Sequence, residues 1–295
     1  MNIIKTNKLT KYYGKERGIV DLDLEVQEGE IYGFIGPNGA GKSTTIRTLL
    51  SIIRPTSGVG EIFGKDVTKF GPEIRREIGY LPSEVYYYEN MRVINILRYS
   101  ASFYNKPKEL TEKRITEIAD LLHLDVNKKF EELSYGNKKK VGIVQGLLHQ
   151  PRLIILDEPT GGLDPLIQQK FFNLVRDENK RGATVLFSSH ILGEVQRLCN
   201  RVGIIKEGKL IKIERLSDLM HSATKRFKLI GTKKIDVKTL STIEGVSELS
   251  EEDGEVNFLY RGDVNTITKA IAKLDLSSLE ITEPDLEEIF LHYYK

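Results

Sequence analysis

The chain has a single cysteine, no apolar stretch long enough for a membrane helix, and almost no net charge, with 44 Lys and Arg against 42 Asp and Glu. Each shortage excludes something. A lone Cys199 cannot close an intramolecular disulfide, and its helix-like setting, Glu194 to Cys199, suits a small buried hydrophobe in a reducing, cytoplasmic compartment. Without ~18 consecutive apolar residues, and with a start (Met1 to Lys8) that lacks a signal-peptide core, the chain is not expected to cross a bilayer by itself. Its basic residues are scattered rather than gathered on one face, so nucleic acid is not an expected partner. No internal repeat stands out. At 295 residues the chain exceeds the common domain size, and two domains are expected.

What is present begins with Gly36, Pro37, Asn38, Gly39, Ala40, Gly41, Lys42 and Ser43, which have the spacing of a phosphate-binding P-loop. The run lies between an apolar segment, Glu30 to Ile35, and a helix-like stretch, Thr44 to Leu50. Glycines at 36, 39 and 41 let consecutive N–H groups point inward at a helix N-terminus, where the helix dipole also favours an anion. Lys42 can reach β and γ phosphates, and Ser43 offers a hydroxyl to Mg²⁺.

Further along, Leu153 to Leu156 reads as a buried parallel strand ending in Asp157 and Glu158, the end of the strand where ligands gather in open α/β sheets. Asp157 is suited to Mg²⁺, and Glu158 to polarising the water that attacks a γ-phosphate. A second strand, Ala183 to Ser188, follows a helix over 165 to 180 and brings His190 towards the same strand ends. Ser134 and Gly136 precede a helix and make a second potential anion site, which suggests a nucleotide shared between two subunits. Gly162, Leu163 and Asp164 form a turn that either caps the next helix or faces a partner subunit. Tyr12 or Tyr13 could stack on adenine. The run Lys138 to Lys140 reads as a solvated helix face, and His123, His149, His221 and His292 as structural histidines.

The organisation follows from periodicity. Residues 1 to about 80 are strand-rich, and helix-period spacing over about 85–150, with Ile94, Leu97, Tyr99 and Ala101 in its first segment, marks a helical subdomain. The composition shifts after Leu210, so the expected domains are 1–218 and 219–295. The second should hold strands near Arg226 to Ile230, Val246 to Leu249, Val256 to Tyr260 and Leu279 to Thr282, and a helix near Val264 to Leu274. A last helix is expected from Asp285 to Tyr294, started by Pro284.

In this order the motifs resemble those of the nucleotide-binding subunits of ATP-binding cassette (ABC) transporters, over about the first 220 residues. The resemblance implies an α/β P-loop NTPase with an ABC-type antiparallel β subdomain and a helical subdomain, followed by a small α+β accessory domain. It assigns Tyr13 to the aromatic loop, Gly36 to Thr44 to the P-loop, and Leu133 to Asn137 to the signature loop. Asp157 becomes the Mg²⁺ aspartate, Glu158 the catalytic glutamate, Gly162 to Asp164 the D-loop and His190 the switch histidine. It also implies ATP and Mg²⁺ as cofactors, an ATPase dimer sandwiching nucleotide, and an integral-membrane permease holding the chain at the cytoplasmic face of the membrane. Two motifs depart from the family pattern. Ser83 stands where a glutamine is usual, and Tyr135 and Asn137 alter the usual Leu-Ser-Gly-Gly-Gln signature. The tail, ending in Glu283 to Leu291, is similar to that of exporter ATPases of the daunorubicin- and bacitracin-resistance type. The alternatives are an importer ATPase and a soluble ABC ATPase acting on ribosomes or DNA. Tyr86, Tyr87 and Tyr88 are expected either as exposed aromatics on a permease-docking surface, Ser83 to Ser100, or as rings packed within the helical insertion.

Overall fold

A computed structural model describes residues 1–104, 106–220, 224–233, 235 and 237–282. The chain divides into two compact units, Met1–Glu214 and Arg215–Lys295, the break falling a few residues before the expected 218.

The first unit contains β1 (Asn2–Tyr13), β2 (Glu16–Leu22), β3 (Glu25–Gln27), β4 (Ile31–Ile35), α1 (Lys42–Leu49), β5 (Ser57–Ile62), β6 (Lys65–Asp66), α2 (Val67–Arg75) and β7 (Ile78–Leu81). Three helices follow, α3 (Val93–Ala101), α4 (Lys108–Leu121) and α5 (Tyr135–Leu147), within the segment expected to be helical. The chain then returns through β8 (Leu153–Asp157), α6 (Pro165–Lys180), β9 (Thr184–Ser189), α7 (Leu192–Leu198), β10 (Arg201–Lys206) and β11 (Lys209–Arg215).

Two sheets form from these strands. An antiparallel sheet orders β2-β1-β5-β6, with β3 also paired to β1. A six-stranded sheet orders β11-β10-β4-β9-β8-β7, and β10, β4, β9, β8 and β7 run parallel. Every residue of β4, β8 and β9 is buried, which explains their nearly unbroken apolar runs: parallel strands covered on both faces have no solvent side to alternate with. The β8-α6-β9 crossover is the expected βαβ unit, and it places the C-terminal ends of β4, β8 and β9 side by side. α6 starts where its sequence says it should, with the Asp164 carboxylate accepting from Ile167 N at 3.0 Å and Pro165 in the first turn.

Two expectations in the helical region are corrected, and the two readings of the tyrosines are divided between the rings. In α3 the buried residues are Val93, Ile96, Leu97 and Ala101, while Tyr99 is exposed and packs edge-on to Phe103. Tyr86 and Tyr88 are exposed, but Tyr87 turns inward, meeting the Phe130 ring edge-on at 5.3 Å and donating to Gln145 Oε1 at 3.2 Å; burial pushes its phenol pKa up. Lys138 to Lys140 is not a solvated face, for Lys139 is 1% exposed and Lys140 is also buried.

The second unit contains α8 (Leu216–Met220), β12 (Thr224–Gly231), α9 (Val237–Ser241), β13 (Val246–Glu252), β14 (Glu255–Arg261), α10 (Val264–Ile271) and β15 (Leu276–Thr282). From β12 onward the order βαββαβ and the antiparallel sheet β13-β14-β12-β15 are those of a ferredoxin-like split βαβ. Its core is built on Phe227 stacked against Phe258 at 5.2 Å, with Tyr260, Ile267 and Ile271 around them. The helix expected from Asp285, with His221 and His292, lies outside the described residues.

Candidate active site

The loop from Gly36 to Gly41 joins the end of β4 to α1. Two glycines are dictated by geometry. Gly41, the residue before α1, has φ +112°, and a Cβ there would stand 2.8 Å from the Gly18 carbonyl oxygen; a Cβ on Gly36 would stand 2.5 Å from that of Ile205. No side chain caps α1, so its first amides are left for an anion. Lys42 is 5% exposed, and its ammonium donates to the carbonyls of Gly36 at 2.7 Å and Pro37 at 3.2 Å. It also lies 3.3 Å from Glu158 Oε1, and His190 Nδ1 lies 3.2 Å from that same oxygen. One carboxylate thus meets the P-loop cation on one side and the imidazole on the other.

Glu158 is held there by its backbone. Its φ of +48° is left-handed, a conformation costing about 1 kcal/mol or more for a residue with a Cβ, and its N–H donates to Ser188 O at 3.0 Å. The turn aims the side chain outward just as β8 ends. Its neighbour Asp157 points the other way and is fully buried, accepting from Ser188 Oγ at 3.2 Å and from the Ser43 hydroxyl. Burial pushes the Asp157 carboxyl pKa up, and its Oδ2 is buried with no hydrogen-bond partner. An unsatisfied carboxylate oxygen beside a serine hydroxyl is a hard-oxygen donor set, which fits Mg²⁺.

A cavity of about 520 Å³ opens over these groups, lined by Tyr13, Asn38, Gly39, Gly41, Lys42, Ser43, Thr44, Glu158 and His190 from the expected set. Of the two tyrosines, it is Tyr13 that borders this cavity, with Lys11 Nζ 5.4 Å from its ring centroid. Gly36 and Pro37 contribute carbonyls, and Ala40 is buried beneath the loop. Ser83 and Glu84, at the position where the resembled family carries glutamine, form part of the wall. Ser134, Gly136 and Asp164 do not line the cavity. Ser134 caps α5, accepting from Asn137 N at 3.4 Å, and Gly136 and the Tyr135 ring pack so closely on Gly162 that no Cβ fits between them.

Two participants escaped the sequence reading. Lys139, buried one turn into α5, donates to Pro82 O at 2.9 Å and Ser83 O at 2.7 Å and so ties the cavity wall to that helix; burial lowers its pKa to about 8. Glu194, on α7, accepts from Thr160 Oγ1 at 2.5 Å and Ser189 Oγ at 2.8 Å. In sequence, a lysine in a lysine triplet and a glutamate in an amphipathic helix look like surface residues.

Residues 19–161 match the ABC transporter family model. The bacitracin transport ATP-binding protein BcrA of Bacillus licheniformis is 37% identical, the match covering 98% of this chain and 96% of that protein. The linearmycin resistance ATP-binding protein LnrL of Bacillus subtilis is 28% identical, with 98% and 97% covered. Among solved structures, an ATP-binding subunit of an ABC transporter superposes with a TM-score of 0.70 at 30% identity, covering 74% of this chain and 91% of that one. A dimeric ATP-binding cassette in a post-hydrolysis state with ADP and Pi gives 0.67 at 25% identity, covering 72% and 98%.

Proposed function

The chain belongs to the ABC transporter ATP-binding proteins and is an ATPase subunit of a transporter, and on that premise we propose that it drives export of a drug, antibiotic or peptide through a separate membrane permease. The observation that supports the catalytic part of this reading is the convergence of Lys42, Glu158 and His190 over the amides of the P-loop. Similarity over nearly the full length to a bacitracin transport protein and a linearmycin resistance protein supports the direction of transport. No helix among the described residues is long and apolar enough to cross a membrane, and in this reading a separate permease supplies the membrane passage.

In this reading Gly36, Pro37, Asn38, Gly39, Ala40 and Gly41 wrap the triphosphate, Ser43 and Thr44 take its oxygens at the start of α1, and Tyr13 stacks on adenine. Lys42 exchanges its Gly36, Pro37 and Glu158 partners for the β and γ phosphates. Ser43 and Asp157 would hold Mg²⁺, which when bound supplies positive charge against the developing negative charge of the phosphoryl group. Glu158, freed from Lys42, accepts a hydrogen bond from the attacking water, while His190 steadies the γ-phosphate side. Ser134, Gly136 and Asp164 complete the nucleotide site of a second ATPase copy, itself or a relative, so that two nucleotides are enclosed by the dimer. The subunit lies at the cytoplasmic face of the membrane, docked through the surface around Tyr86 and Tyr88.

The test is to isolate the membrane protein that co-purifies with the chain, reconstitute the pair in vesicles, and follow an antibiotic peptide. ATP-dependent movement away from the ATPase face supports export; movement towards it overturns the direction, and association with ribosomes or DNA in place of a membrane protein overturns the transporter role.

A further inference from the structure

Resting on the ATPase reading above, we propose that Glu194 is a positioning residue for hydrolysis, a buried clamp that fixes the spacing between Glu158 and His190. Glu194 belongs to none of the nucleotide-binding motifs and does not line the cavity. Its two carboxylate oxygens are divided between two segments of chain: Oε1 accepts from Thr160 Oγ1 at 2.5 Å, and Oε2 from Ser189 Oγ at 2.8 Å. Thr160 lies two residues after Glu158, across Pro159, and Ser189 immediately precedes His190. The circuit closes through His190 Nδ1, 3.2 Å from Glu158 Oε1. Ser189 Oγ also receives the Ile191 N–H at 3.0 Å, which fixes the backbone on the far side of His190.

All three members of the clamp are buried, Thr160 at 4%, Ser189 at 2% and Glu194 at 6% exposure. A buried carboxylate bonded by neutral hydroxyls is costly for a fold, and an apolar side chain would fill the space with less desolvation. What the carboxylate adds is geometry. Its fork is rigid, and past Asp157 and Ser189 it holds the ends of β8 and β9 at one separation, adding to the bond from Glu158 N to Ser188 O. Beyond β8 the left-handed Glu158 backbone is tied to β9 by its N–H to Ser188 O, and the clamp adds a second tie two residues on, at Thr160.

The experiment compares Glu194→Ala and Glu194→Gln in the full chain. Glutamine keeps the fork, with one oxygen to accept and an amide that can donate to the second hydroxyl. For alanine, kcat should fall ~10- to 100-fold, with KM and the Kd for Mg-ATP within about threefold of the parent; glutamine should restore kcat to within about fivefold. The His190 ring resonances should shift in the alanine variant and stay near their parental positions in the glutamine variant, a readout that needs no turnover. Adding Ser189→Ala or Thr160→Val to Glu194→Ala should cost little more. A folded alanine variant with parental kcat and unmoved His190 resonances overturns the proposal. So does a glutamine variant as impaired as alanine with Mg-ATP affinity and melting temperature lowered in parallel, which is the pattern of a purely structural residue. If the parent chain neither retains nor cleaves Mg-ATP, the ATPase reading falls, whereas the clamp is still judged by the His190 resonances.

Discussion

At the C-terminal ends of β4, β8 and β9, polar side chains converge and are buried: Lys42, Asp157, Ser188, Ser189 and Thr160 are each less than 6% exposed, and their bonds cross between strands. At the start of α5 the plan is reversed. Ser134 bonds only locally to Asn137 N, Tyr135 is 56% exposed, and Asp164 serves as a helix cap at the surface. The first region is organised within one chain, its donors and acceptors fixed by bonds between neighbouring strand ends and α7. In the second, Ser134 and Asp164 are spent on the starts of their own helices, and Tyr135 alone of the three borders the cavity. In the dimer proposed above, the second region would meet a nucleotide held by the other copy.

Replacing Glu158 by Gln should give the largest effect in the first region. We expect hydrolysis to fall by ~10²–10⁴-fold while Mg-ATP affinity is retained and an ATP-bound dimer accumulates, as read by turnover assay and size-exclusion chromatography. A monomer with unchanged turnover would remove the distinction between the regions. Ser134→Ala tests the second region: kcat should fall on the order of 10²-fold with Mg-ATP binding to the isolated chain unaffected, and a loss of that binding would place Ser134 in its own chain's site.

Lys139 links the two regions, and pH should separate its two roles. Its pKa of about 8, below the ordinary 10.5, means that the charged form loses its hold on Pro82 and Ser83 as pH rises through about 8, so kcat should decline over that range. Asp157, Glu158 and Glu84 face this ammonium and oppose its deprotonation. Folding stability should move the opposite way. Between about 8 and 10.5 the unfolded chain binds the proton that the folded chain has released, so stability rises with pH there. Lys139→Arg, charged throughout, should lack the alkaline decline in kcat; a pH profile identical to the parent would refute the assignment. The smallest effect is expected from Tyr86→Ser with Tyr88→Ser, where basal hydrolysis changes less than about twofold while permease-stimulated hydrolysis is lost. Tyr87→Ser should instead destabilise the helical region by ~1–3 kcal/mol in a denaturant titration, since that ring packs on Phe130.

Much of the first region was legible in the sequence because its geometry is local. A glycine-rich turn between an apolar strand and a helix, two acids at a strand end, and a proline after an aspartate each specify structure within a few residues, and P-loop, β8 and α6 follow from them. Tyr87 was not decided by the sequence, for the opposite reason. Three adjacent tyrosines are chemically alike, and only the position of Phe130, more than forty residues away in sequence, decides which of them is covered.

The order of residues alone specifies a phosphate-binding loop, an acid pair and a histidine, because turns, caps and strand-end residues act over short separations. Which of these groups meet was decided only by the tertiary structure: the parallel pairing of β4 with β9 and of β9 with β8 brings Lys42, Glu158 and His190 together. The same packing buried Lys139 and Glu194, and no local rule anticipates that, since a charged residue on a helix reads as solvated until another element covers it.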